Sequence, residues 1–247
     1  MLDRGVGEKL RIGMAALSGN QTTEYEFRKL LNIEGVAFFV SRLPDSTIVS
    51  PETLRETEQH LASAVSLILP GLPLDVVAFT CTSATIVNGE DRIFARIREV
   101  RPGIACTTPI TAAMAAMSSL GLKRIALLTP YVESINTMMR SYIEERNVSV
   151  PIMGSFLNPN DSEVARITGD SIEKAVRNLV ARGGIDGVFV SCGSLRMCEF
   201  AETLEAEIGL PVFSSNLAMA WHCLRLGNIR DEIPQQGSLF RTQLRDT

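Results

Sequence analysis

At 247 residues, with 45% hydrophobic and 21% charged residues, the chain can bury one large core or two lobes of ordinary size. A net charge of −4 with no basic run argues against nucleic-acid and anionic-membrane partners. No apolar stretch is long enough to span a bilayer. The opening MLDRGVGEKLRIG lacks a signal-peptide core, so the expected location is cytoplasmic.

In chain order, RIGMAAL (11–17) predicts a first strand, followed by SGNQTTE, where Thr23 and Glu26 have the spacing of a capping box opening a helix. GVAFFV (35–40) predicts a second strand. In 51–69, Leu54, Leu61, Val65, Ile68 and Leu69 fall on one face at helical spacing. DVVAFT (75–80) and GIAC (103–106) predict the third and fourth strands. A second set follows in RIALLT (124–129), a weaker VPIMGSF (150–156), GVFVS (187–191) and PVFS (211–214). Between them, Ile172, Val176 and Leu179 mark a helix that stops at Gly183. The strands are rich in Val, Ile and Phe without alternation, as in parallel strands covered on both faces.

The two sets align. Arg11-Ile12 matches Arg124-Ile125, Cys81 matches Cys192, and Thr107-Thr108 matches Ser214-Ser215, at offsets of 113, 111 and 107 residues. The pattern predicts an α/β protein of two pseudo-twofold-related lobes, each a four-stranded parallel sheet flanked by helices. The expected lobes are 1–115 and 116–247, with a tail over 216–247 returning to the first and a cleft between them.

Ligands of open parallel sheets bind beyond the carboxyl ends of the strands. Asn20, Cys81-Thr82-Ser83, Tyr131, Asn160-Asp161 and Cys192-Gly193-Ser194 all fall there. Two cysteines at equivalent strand ends would face each other across the cleft. A thiol with a pKa of roughly 8.5 is little ionised at neutral pH, and a helix N-terminus would favour its thiolate. One thiol could then attack or deprotonate carbon while the other delivers a proton. Neighbouring N–H groups and hydroxyls would hold a carboxylate. This chemistry needs no metal and no organic cofactor, and neither His60, His222 nor the five cysteines have ligand spacing.

Each residue also has a plainer reading. Cys106, Cys198 and Cys223 read as small apolar core residues. Asn20 could make an Asx turn, Asn160 in NPND reads equally well as turn chemistry, and Tyr131 could simply close the lobe. His222, between Trp221 and Cys223, reads as packing. Arg196 is either a solvated helix residue or a carboxylate partner.

The motifs CTSAT, SCGSLR, LSGNQTTE, TPYVESIN and SSNLAMAWHCLRL resemble the aspartate/glutamate racemase superfamily. The nearest resemblance is to the branch of maleate cis-trans isomerases, arylmalonate decarboxylases and ectoine-utilisation proteins. It implies that Cys81 adds to an alkene carbon of maleate and that Cys192 is the facing proton donor and acceptor. Asn20, Tyr131, and Asn160 or Asp161 match substrate-binding positions, and Thr82 and Ser83 match an oxyanion-binding loop. A homo-oligomer is also implied. The chain departs from the isomerases at Gly19-Asn20-Gln21, where they read Ser-Asn-Thr, and at Gly193, where they tend to carry Thr. The decarboxylases share this Gly but lack the first cysteine. Three functions are therefore expected in order: an isomerase of a small carboxylate, a decarboxylase or racemase on the same fold, and a non-catalytic carboxylate-binding protein, which would have no need of two facing thiols.

Overall fold

The computed structural model describes residues 3, 5–46, 48–234 and 236–245; the outer limits of the two expected lobes, 1 and 247, lie outside them. Strands β1 (Leu10–Leu17), β2 (Val36–Leu43), β3 (Val76–Phe79) and β4 (Ala105–Thr107) form one sheet in the order β2-β1-β3-β4. Strands β5 (Arg124–Thr129), β6 (Ser149–Ser155), β7 (Gly187–Val190) and β8 (Val212–Ser214) form a second in the order β6-β5-β7-β8. All pairings are parallel, so the topology repeats as the matched text predicts. β3 and β7 are buried along their whole length, which explains their unbroken apolar sequence.

Among the described residues, twelve helices cover the sheets. The first half holds α1 (Thr23–Leu30), α2 (Pro51–Glu56), α3 (Leu61–Ser66), α4 (Thr82–Asn88), α5 (Glu90–Val100) and α6 (Pro109–Leu120). The second holds α7 (Glu133–Glu144), α8 (Asp161–Val164), α9 (Gly169–Val180), α10 (Ala201–Ile208), α11 (Ser215–Leu226) and α12 (Ser238–Arg241). Among the described residues no helix is long and apolar enough to cross a membrane.

Two local expectations change. The single helix expected over 51–69 is α2 and α3 joined by a 3-10 turn at Thr57–His60. There the Thr57 hydroxyl donates to the Leu54 carbonyl at 2.7 Å, and buried Glu58 pairs with Arg92 and Arg96 of α5. A buried carboxylate needs its cations close, and the tighter turn aims it at them. The capping box expected from Thr23 and Glu26 does not form. Thr22 is the N-cap and makes no side-chain cap, while Glu26 is used elsewhere.

After β8 the chain returns to the first sheet. α11 packs against α1, α6, β3 and β4, and Trp221 is fully buried. Trp221 Nε1 donates to the Thr242 carbonyl at 2.9 Å. The buried Arg225 guanidinium donates to the carbonyls of Ile229 (2.6 Å), Phe240 (2.9 Å) and Thr242 (3.1 Å). One rigid cation thus satisfies backbone acceptors that an irregular tail would otherwise bury unpaired. Arg225→Ala should therefore lower unfolding stability by about 2–4 kcal/mol and open the 229–242 segment to limited proteolysis. Chemical denaturation and mass-spectrometric mapping of the cleavage sites check both.

Candidate active site

Residues beyond the carboxyl ends of β1, β3, β5 and β7 enclose a solvent-open cleft of about 520 Å³. Asn20, Cys81, Thr82, Ser83, Tyr131, Cys192, Gly193 and Ser194 all line it, brought together from both sheets. Asn160 does not. Its Oδ1 accepts the Ser162 N–H at 3.1 Å and caps α8, so the neighbouring Asp161 is the residue of that pair in the cleft. Arg196 is exposed and outside the cleft. His222 is buried and stacked on Trp221, with Nδ1 2.8 Å from the Thr107 hydroxyl.

Cys81 is the N-cap of α4. The Ala84 N–H donates to its Sγ at 3.4 Å, and the Ser83 hydroxyl lies 3.7 Å away. Those donors favour a thiolate, as the sequence suggests, but burial outweighs them. The thiol is pushed up to about 11 by desolvation, with the charges of Asp161 and Asp45 adding to the rise. Cys192 is pushed to about 12, first by desolvation and then by Asp161, while the Ser194 N–H and the Tyr131 hydroxyl oppose the shift. Burial thus favours the protonated form of both thiols at neutral pH, while the N–H groups expected to favour the thiolate do act on the sulfurs but are outweighed.

The backbone at Cys192 has φ 152°, which L-residues rarely adopt and which costs on the order of 1–3 kcal/mol. Surrounding bonds fix it there. The Cys192 N–H donates to Ser215 Oγ at 3.1 Å, which is itself 3.3 Å from Thr82 Oγ1 in the first lobe. The Ser194 N–H donates to Cys192 Sγ at 3.4 Å, and the Ser194 hydroxyl donates to Asp161 Oδ1 at 2.8 Å.

Asn20 serves two purposes. Its Oδ1 accepts the N–H groups of Thr22 (3.2 Å) and Thr23 (2.9 Å), making the turn into α1. Its amide nitrogen lies beside Gly193, where a Cβ would be 3.5 Å from it and 3.1 Å from Thr23 Oγ1. Tyr131 is held through its carbonyl, which accepts from Asn136 Nδ2 (2.8 Å) and Ser155 Oγ (2.6 Å). Burial raises its phenol well above the ordinary value, so it stays a hydroxyl donor.

Sequence reasoning missed the support beneath these residues. Glu26, wholly buried, accepts the N–H groups of Met197 (2.6 Å) and Cys198 (2.7 Å) and Asn216 Nδ2 (2.6 Å). Asn216 Nδ2 also donates to the Gly193 carbonyl at 2.8 Å, as does the Thr22 hydroxyl, and Thr23 Oγ1 donates to Asn216 Oδ1 at 3.1 Å. Helix α1 of the first lobe thus holds the loop carrying Cys192 in the second. Asp45 also lines the cleft and was not singled out. The carboxylates are distant in sequence from what they touch, and no local spacing reveals them.

Two thiols, Cys81 and Cys192, thus meet in one cleft between repeated α/β lobes, and comparison with known proteins gives the class. The sequence profile of arylmalonate decarboxylase matches residues 48–240. The chain belongs to the arylmalonate decarboxylase family. Arylmalonate decarboxylase of Bordetella bronchiseptica is 33% identical over 141 residues, covering 56% of this chain and 58% of that one. Maleate isomerase of Nocardia farcinica is 26% identical over 242 residues, covering 94% and 95%. The solved structure of a Nocardia farcinica maleate cis-trans isomerase mutant with a covalently bound succinylcysteine intermediate superposes with a TM-score of 0.85 at 26% identity, covering 94% of this chain and 98% of that one.

Two outcomes follow. Alkylation of Cys81 by iodoacetamide, followed by peptide mass spectrometry, should accelerate about tenfold per pH unit from neutrality towards its pKa of about 11, because the thiolate is the reacting form. A rate that levels off near pH 8 would refute the burial argument. Glu26→Ala strands three N–H donors in the interior and should cost about 3–5 kcal/mol in denaturant unfolding.

Proposed function

We propose that the protein is a cofactor-independent isomerase of a small carboxylate, acting as a maleate cis-trans isomerase does. The observation that carries this reading is the pair of thiols, Cys81 and Cys192, lining one cleft from equivalent ends of β3 and β7. Cys81 reacts as its thiolate, adding through sulfur to one alkene carbon. The π pair moves to the adjacent carbon and its carboxylate, and Cys192 delivers a proton to that carbon. The former double bond, now single, rotates. Cys192 then removes the proton, the pair re-forms the alkene, and the carbon–sulfur bond breaks to release the trans acid.

The protonated resting state of Cys192 suits it as donor. Cys81 must first give its proton to solvent water at the open cleft, which returns it after product release, and the Ala84 N–H and Ser83 hydroxyl beside its sulfur stabilise the anion in between. Asn20, Tyr131, Thr82 and Ser83 hold the carboxylate that takes up negative charge, with Gly193 and Ser194 closing the other side. The succinylcysteine intermediate in the Nocardia farcinica relative supports this covalent route.

Family membership and the 33% identity to arylmalonate decarboxylase favour a second reading, decarboxylation of a substituted malonate with one cysteine as proton donor. Two thiols exceed what that reaction needs, and this places isomerisation first.

Maleate, phenylmalonate and aspartate, each incubated in deuterated buffer and followed by NMR, separate the readings. Fumarate formation is the expected result; carbon dioxide loss or α-deuterium uptake alone would replace the proposal with decarboxylation or racemisation. Cys81→Ala and Cys192→Ala should each lower kcat by at least about a hundredfold. Full activity in both would rule out the two-thiol mechanism.

A further inference from the structure

The cleft that holds the thiols also holds two carboxylates, Asp45 and Asp161, and no Lys, Arg or His is among its described lining residues. Each comes from a loop of a different lobe. Asp45 follows β2 and Asp161 opens α8, and the two loops are joined where the Val49 N–H donates to the Pro159 carbonyl at 3.2 Å and Ile48 bridges to Asn160. Neither carboxylate is a loose surface group. The Asp45 Oδ1 accepts the Gly19 N–H at 3.0 Å and the Ser18 hydroxyl, and the Asp161 Oδ1 accepts the Ser194 hydroxyl at 2.8 Å. Gly19 makes room for this approach, since a Cβ there would lie 3.3 Å from Asp45 Oδ2.

The arrangement bears on what a substrate can carry beyond its first carboxylate. An ionised carboxylate only accepts hydrogen bonds, so a second one facing ionised Asp45 and Asp161 gains no bond from them and meets like charge with no cation among the described lining residues; the Arg42 guanidinium behind the wall is already engaged by Glu24 and by the carbonyls of Leu17, Ser18 and Asn20. An N–H donor in the same place gains both a partner and a favourable field. A carboxamide and a carboxylate have nearly the same shape, so the cleft's walls cannot tell them apart; charge and donor capacity can. Asp161 already holds its proton to higher pH than an ordinary aspartate, through burial and then the neighbouring Asp45 charge, and a dianion beside it would deepen that conflict.

We propose that Asp161, supported by Asp45, determines specificity, directing the cleft to monocarboxylates whose second polar group donates N–H, a primary carboxamide or an ammonium, over doubly charged dicarboxylates. For the reaction proposed above, and resting on that reading, this makes the monoamide of maleic acid a better substrate than maleate.

Binding separates this inference from the reaction. Calorimetry at about pH 8, where succinate is a dianion, would compare succinate, succinamate and 3-aminopropanoate, none of which has a double bond to isomerise. The wild-type protein should bind succinamate or 3-aminopropanoate at least about tenfold more tightly than succinate. Asp161→Asn should shrink that ratio several-fold, chiefly by improving succinate. Asp45→Asn, whose side chain can still accept from Gly19 and Ser18, should shift it the same way, which keeps the test open if Asp161→Asn folds poorly. Succinate binding as tightly as both other ligands, no binding by any of the three, or a ratio unchanged in both folded variants would overturn the proposal. In turnover, kcat/KM for maleamate should exceed that for maleate, and Asp161→Asn should narrow the gap. Discrimination in binding without isomerisation of either alkene would leave the specificity inference standing and remove the isomerase reading.

Discussion

The carboxylate of Glu26 is the point at which the two lobes become one site. It is wholly buried on α1 of the first lobe, and its donors all come from the second half of the chain: the backbone of Met197 and Cys198 after β7, and the side chain of Asn216 at the start of α11. Asn216 in turn reaches the Gly193 carbonyl, one residue from Cys192. Burying a carboxylate is unfavourable unless its oxygens are met by well-placed donors, so α1 and the Cys192 loop cannot drift apart without exposing that cost. The same helix begins at the turn made by Asn20, so a single contact fixes both the wall and the second thiol of the cleft. Burial raises the Glu26 pKa and the N–H donors pull it back down, so each donor counts in keeping the carboxylate ionised there.

The thiols illustrate a contest between two effects acting on one atom. Oriented N–H groups at the start of α4 favour the Cys81 thiolate, and removal from water disfavours it; removal from water wins. A low-dielectric cleft with protonated thiols is nonetheless suited to carbon chemistry. Charge that appears only during reaction is stabilised there by fixed donors, without water having to reorganise. The strained backbone at Cys192 fits the same logic, since a residue held at its backbone N–H by Ser215 and at its sulfur by Ser194 and Tyr131 has little freedom to lose when substrate arrives.

What could be read in the sequence followed from periodicity and repetition. The eight strands lie where their apolar runs place them, most directly β3, β7 and β8, which are buried on both faces and write that burial into local composition. The cysteine pair was legible because the lobes repeat, and repetition turns an ambiguous strand-end Cys81 into half of a matched pair. Failures occurred where a polar residue serves a distant partner. Glu26 has the spacing of a capping box yet turns to residues about 170 positions away. Glu58 interrupts a good helical pattern to meet the cations of α5. Asp161 and Asn160 are adjacent polar residues in a turn, and only the direction of the chain at α8 decides which enters the cleft.

Two glycines show how a shared scaffold can be adjusted without touching its thiols. At position 193 a side chain would press on the Thr23 hydroxyl at 3.1 Å and touch Asn20 and Asn216, so the interlobe network would have to give slightly to admit one. At position 19 a side chain would press on Asp45, so glycine is what lets that carboxylate settle against the backbone at the edge of the cleft. Both glycines shape what surrounds the cysteines. The cleft thus draws its thiols from the ends of β3 and β7 and its carboxylates from the loop after β2 and the start of α8, so under the proposed reading reactivity and charge selection rest on separate elements, and loop substitutions can alter the second while the strands and cysteines stay in place.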